Sequence, residues 1–101
     1  MSAVDLADTA AGLPEAWNSR VLGAVGPACV KVLRMDELPV AEERHRASEA
    51  LLVLEGQLEL EVNGAPFTVR AGSLFMIPPE TPHAVREGSR GTLVIVELPE
   101  G

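Results

Sequence analysis

Imidazole is scarce in this sequence. His45 and His83 are the only histidines among 101 residues, so a site built on three histidines is excluded. His45 stands in a charged run, Glu42-Glu43-Arg44-His45-Arg46, with Glu49 shortly after it. Two readings of that run stay open. Arg44-His45-Arg46 is a natural solvated turn, with Glu42 and Glu43 in water and Glu49 a strand-edge carboxylate paired with a neighbouring arginine. In the other reading some of these side chains face a pocket. His83 follows the proline-rich loop Pro78-Pro79-Glu80-Thr81-Pro82 and is expected to line that pocket. Together with Arg44 and Arg86 it could hold a small anion. Covalent catalysis has no legible candidate. The single cysteine, Cys29, lies in the apolar run Ala28-Cys29-Val30, where a buried, inert thiol is expected. No Ser–His or Cys–His pair accompanies it.

Most of these side chains sit in strand-like text. Val4 to Trp17 reads as helical turns broken near Gly12-Leu13-Pro14. Trp17 is expected to pack this segment onto the domain, a platform in a ligand site being the sharper alternative. Beyond it the period becomes two. Val30 and Val32 alternate with Lys31 and Leu33. The run EALLVLEG is expected to end in a turn at Glu55-Gly56. QLELEV then sets Leu58, Leu60 and Val62 on one face and Gln57, Glu59 and Glu61 on the other. Asn63-Gly64 signals a two-residue hairpin of type I′, because both residues tolerate positive φ. Its return strand places Phe67 and Val69 on the apolar side. Ala71-Gly72 is a further turn, SLFMI a short strand, and His83-Ala84-Val85-Arg86 a restart after the prolines, which cannot donate ladder hydrogen bonds. The final run, TLVIVEL, is expected deep in the sheet or against a partner chain. Such a meander implies an all-β sandwich or barrel. We read residues 1–101 as one domain, with a helical extension over 1–20 and a barrel over about 28–99.

Composition narrows the function classes. Hydrophobic residues make up 47% and aromatics 3%, with no tyrosine, so the core must be aliphatic. Fifteen acids against eight basic residues give a net charge of −7, and no basic stripe exists. Nucleic acid and anionic membrane surfaces are therefore not expected partners. No apolar stretch approaches the roughly 20 residues that cross a bilayer. The start Met-Ser-Ala-Val-Asp lacks a secretory pattern, so a cytoplasmic location is expected.

Two stretches carry a resemblance. The first is Glu49-x6-Gly56 with His45 four residues before the glutamate, and the second is Gly72-x5-Pro78-x-Glu80-x2-His83. Together they resemble the two motifs of the cupin superfamily, whose second motif reads G-x5-P-x-G-x2-H. LLVLEGQLELEVNG and IPPETPHAV resemble the family's text closely. The resemblance implies a double-stranded β-helix, the cupin jelly-roll barrel, with a pocket at its mouth. Glu80 stands at the family's glycine position, which implies a slightly altered loop.

In metal-bearing cupins an H-x-H pair, the first-motif glutamate and the second-motif histidine bind the ion. The resemblance gives His83 and Glu49 for the last two roles. One register supplies Glu43 and His45 for the pair, a two-carboxylate, two-imidazole set suited to Fe, Mn, Ni or Zn. The chain also resembles small bacterial cupins with an initial helix and a Trp-His-x-His segment. Ungapped alignment to those puts Ala41, Glu42 and Arg44 at the Trp and two His positions, and Arg44 cannot ligate a metal. The two registers point opposite side chains inward.

Three functions follow as expectations. One is a metal-binding cupin, an enzyme or a binder, acting on a small molecule. Another is a metal-free binding or sensory module. The last is a structural homodimer, compatible with either. Cupins include isomerases, dioxygenases, decarboxylases and epimerases, so the fold names no reaction.

Overall fold

The computed structural model describes residues 2–99. The strands between Arg20 and Glu97 form a single antiparallel sheet curled into a half-barrel. In chain order the elements are α1 (Leu6–Ala11), β1 (Arg20–Val25), β2 (Ala28–Met35), β3 (Val40–Glu43), β4 (Glu49–Val62), β5 (Ala65–Arg70), β6 (Leu74–Ile77), β7 (His83–Val85) and β8 (Arg90–Glu97). The strands run in the order β1-β2-β8-β4-β7-β3, with β5 and β6 also paired to β4. The all-β expectation holds. Strand structure starts earlier than the sequence suggested, at Arg20, through a β1–β2 hairpin closed at Gly26-Pro27.

β4 organises the rest. Its first half, from Glu49, pairs with β6 and β8; its second half, to Val62, pairs with β5 and β7. The turn expected at Glu55-Gly56 is not there. The strand runs through, and the register with β8 shifts between Val53 and Glu55. Gly56 (φ 76°) faces Gly91 (φ 101°) in that pairing. A Cβ on Gly56 would lie 2.0 Å from the Arg90 carbonyl oxygen, and one on Gly91 would lie 2.1 Å from that of Glu55. Only glycine allows this backbone-on-backbone approach. The sequence signal was real, but it marks a bulged bend inside a strand.

Alternation fills the interior. Leu33, Met35, Leu51, Val53, Leu58, Leu60, Val62, Val69, Ile77 and Leu93 form one buried cluster, flanked by Trp17, Phe75, Val85 and Ile95. The side chains of β2 bury both ways. Leu33 and Met35 join this core, while Val32 joins Ala10 and Val94 under α1 on the outer face. The helix is short and held by its ends. The Asp5 carboxylate accepts from the Asp8 N–H (3.0 Å), and the Arg34 guanidinium donates to the Ala10 and Leu13 carbonyls at its C-terminal end. Asn63 (φ 51°) and Gly64 (φ 79°) form the expected hairpin turn, with Val62 opposite Ala65. Val69 is buried as expected, whereas Phe67 is 43% exposed and rests against Phe75, ring centroids 5.1 Å apart. Cys29 is half-buried rather than buried, because it lies at the end of β2.

Gly56→Ala and Gly91→Ala should each remove about 4 kcal/mol or more of stability, since backbone atoms must separate. Gly64→Ala, with open space around it, should lose only about 1–3 kcal/mol from left-handed strain. Thermal and urea unfolding of the three variants measures this ranking.

Candidate metal centre

Glu49 opens β4 and faces inward with Leu51 and Val53; it is 7% exposed. His83 opens β7 and stands opposite Val62, at the far end of the same strand. Thirteen residue steps of extended chain would separate these two places by about 40 Å. The curl closes that gap, and His83 Nε2 lies 3.4 Å from Glu49 Oε1. The other ring nitrogen, His83 Nδ1, lies 2.9 Å from the Thr81 carbonyl oxygen. A carbonyl only accepts, so Nδ1 carries a proton. Once Nε2 gives up the proton it shares with Glu49, the neutral ring presents that lone pair to the pocket.

The first motif reaches the same place from β3. Glu43 is the strand partner of His83. Two residues on, the His45 carbonyl accepts from the Glu80 N–H at 2.7 Å, tying the charged run to the proline loop. Glu80 has φ 57°, the left-handed conformation that glycine would take at that position. A side chain is tolerated in that conformation because it is exposed. His45 Nε2 lies 3.2 Å from Glu43 Oε2, and the His45 and His83 rings lie 5.2 Å apart.

Glu43, His45, Glu49 and His83 line one cavity of about 200 Å³. Its floor and walls are Leu33, Leu51, Leu58, Leu60, Leu93 and Ile95, and Trp17 closes one side. Trp17 both packs and lines: its indole N–H donates to Asp36 Oδ1 at 3.0 Å. Of the two registers, Glu43 and His45 are the pair brought to the cavity. Ala41 and Glu42 line a wider outer groove instead.

Two expected pocket residues lie elsewhere. Arg44 is exposed and absent from the cavity lining, because it falls between Glu43 and His45 and alternation sends it outward. Arg86 follows the inward Val85 and lies in the outer groove, its Nε 3.9 Å from Glu61 Oε2. That groove, about 690 Å³, holds Glu42, Glu59, Glu61 and Glu87 and neither histidine.

One cavity residue was not read from the sequence. Glu97, on β8, is the strand partner of both Glu49 and Cys29. In TLVIVEL the uninterrupted apolar text hid the alternation, yet Leu93, Ile95 and Glu97 share the inward face. Lys31 Nζ bonds Glu97 Oε1 at 2.7 Å.

Donor atoms of Glu43, His45 and His83 all lie within 4.8 Å of one another, as do those of His45, Glu49 and Glu97. Imidazole and carboxylate donors converging on one end of an aliphatic cavity fit a divalent cation. Electrostatics agree. Burial disfavours the Glu49 charge, but hydrogen bonds from His83 and Glu97 and the nearby imidazoles hold its carboxyl down to about 2. The Glu49 hydrogen bond raises His83 above its ordinary 6.5, against burial. Burial, then the adjacent Glu49, raises Glu97, against Lys31. Of the carboxyl pair, Glu97 holds its proton more tightly than Glu49.

The pH dependence of the metal-free protein follows. His83 contributes stability in full below about 6.5 and loses it as pH rises through its raised folded value. Glu97 acts in the same direction from about 4.5 upward. Glu49 contributes above about 4.5 and loses its contribution as pH falls toward 2. Thermal unfolding of metal-free protein should thus be hardest between roughly pH 4.5 and 6.5. His83→Gln should weaken the alkaline decline.

Comparison with known proteins places this geometry. A family profile described as the cupin domain matches residues 35–99. A cupin-2 domain protein from Shewanella frigidimarina superposes with TM-score 0.85 at 20% identity, covering 95% of this chain and 94% of its own. A Neisseria meningitidis protein gives 0.81 at 18%, covering 97% and 100%. A cupin superfamily protein from Desulfitobacterium hafniense gives 0.71 at 18%, covering 81% and 76%. At these identities the likeness shows fold alone. No curated protein matches the chain.

Proposed function

The chain belongs to the cupin domain family, and from that premise we propose that it is a metal-binding cupin holding a divalent ion with Glu43, His45, Glu49 and His83. The observation that carries this reading is the convergence of these four side chains, from β3 and its following loop, β4 and β7, on one cavity. Bound there, an ion of the Fe, Mn, Ni or Zn kind would serve as a Lewis acid toward a small ligand.

The chain's own residues define what such a ligand can be. The Thr81 carbonyl holds the His83 ring in the orientation that presents Nε2. The leucine wall excludes water and strengthens every polar contact at the carboxylate end. About 200 Å³ lies below the usual 300–1,000 Å³ of drug-sized sites, so the ligand is a molecule of few heavy atoms. It would set a polar end among the histidines and glutamates and an apolar part against Leu58, Leu60 and Trp17. The setting proposed is the cytoplasm. The described residues contain no helix long and apolar enough to cross a membrane.

Elemental analysis of protein purified without added metal tests the reading. Stoichiometric metal is expected in the native chain, with loss in both His83→Ala and His45→Ala. Native protein without metal that still binds small molecules would make it a metal-free binding module instead.

A second copy is the proposed partner. The outer face of the sheet carries two apolar rows, Met76-Ala50-Val96-Val30 and Leu74-Leu52-Val94-Val32. α1 covers the Val32–Val94 end, while Leu74 (58%), Met76 (53%) and Val96 (38%) stay exposed. Sedimentation equilibrium should find a dimer, and Leu74→Lys with Met76→Lys should give a monomer that retains metal. A monomeric native protein would remove this partner.

A further inference from the structure

We propose that Glu97 is a fifth metal-facing side chain, whose added carboxylate biases the site toward oxygen-preferring ions such as Mn²⁺ over Zn²⁺. This rests on the reading of the cavity as a metal centre and adds a residue to it.

The first argument is position. Glu97 enters from β8, a strand that contributes none of the other four donors, and lies across from Glu49 in strand register. Its donor oxygen lies within 4.8 Å of donor atoms of His45 and Glu49. His45 belongs to both donor groups, so the two groups form one continuous set of five side chains around the cavity end.

The second is orientation. Lys31 Nζ holds Oε1 at 2.7 Å, and both side chains of this pair are half-buried. One ammonium pairs with one oxygen of a carboxylate that has two, and the side chain lines the cavity beside Glu49. Lys31 stands on β2 opposite Ile95, two residues before Glu97 on the paired strand, so the clamp reaches diagonally across the inward face. A long lysine in that place keeps Glu97 from swinging out to water.

The third is charge. Three carboxylates and two imidazoles meet where only one ammonium is seen among the described neighbours of Glu97. Bringing Glu49 and Glu97 together in an aliphatic cavity is unfavourable for two anions. A divalent cation between them converts that repulsion into attraction. A four-donor set of mixed nitrogen and oxygen satisfies tetrahedral Zn²⁺. A third carboxylate and a higher donor count suit the six-coordinate, harder Mn²⁺.

The test is competitive titration of metal-stripped protein with Mn²⁺ and Zn²⁺, with the Mn²⁺ electron paramagnetic resonance signal as a direct readout of bound ion. Native protein, Glu97→Gln, Lys31→Met and His83→Ala are compared, with circular dichroism confirming each fold. Glu97→Gln should weaken Mn²⁺ binding about 10-fold or more and Zn²⁺ distinctly less. Lys31→Met should shift the preference in the same direction by a smaller factor. His83→Ala should weaken both ions. Unchanged Mn²⁺ affinity in Glu97→Gln, or equal loss of both ions, would overturn the role of Glu97 while leaving the four-residue centre standing. Failure of native protein to bind either ion would overturn the centre itself. If Glu97→Gln does not fold, Glu97→Asp, which keeps the charge but withdraws the oxygens, carries the same expectation.

Discussion

The contact of Gly56 with Gly91 is the constraint on which the barrel depends. β4 is long enough to carry Glu49 and the strand partner of His83 at opposite ends. It can bring them together only by bending, and the bend needs two backbones closer than any Cβ permits. Everything polar in the cavity is downstream of that approach. Glu49 reaches His83 because β4 curls, and Glu97 lies directly across from Glu49 in the β4–β8 pairing.

The cavity combines two demands that usually conflict. An aliphatic interior without tyrosine maximises burial but offers charges no polar cushion. The chain meets this by concentrating its charged groups at one end and pairing them. His83 contacts Glu49, Glu97 contacts Lys31, and His45 contacts Glu43. No buried side-chain nitrogen or oxygen among the described residues lacks a partner. His83–Glu49 and Glu97–Lys31 each join different strands, so each also fixes the registry of the elements that carry it. A site assembled this way is rigid in its strand-borne members, Glu49, His83 and Glu97. It is more adjustable in the exposed Glu43 and the loop-borne His45.

Much of the fold was legible in local text. The alternation of Leu58, Leu60 and Val62 needs only a half-buried strand, and Asn63-Gly64 only positive φ, so both are written in adjacent residues. Gly56 was legible as a special position but misread as a turn, because one glycine signals backbone freedom without saying what approaches it. Glu97 was invisible for a related reason. β8 is buried on both faces over Thr92, Leu93 and Val94, its text is apolar at nearly every position, and periodicity vanishes where both faces are buried. Arg44 and Arg86 looked like anion contacts by type, yet alternation turns each away from the cavity.

The sequence alone determined an all-β cupin barrel, the inward place of His83 and the candidacy of Glu49, because these rest on turn chemistry, two-residue periodicity and motif spacing. Only the tertiary structure decided that Glu43 and His45, not Glu42 and Arg44, meet His83, and that Glu97 and Lys31 join them. The reason is physical. A single-residue slip exchanges the faces of a strand, and the register across β3 is set by its pairing with β7 and by the Glu80 N–H bond to the His45 carbonyl. Those are contacts between segments 35 to 45 residues apart, which no local pattern encodes.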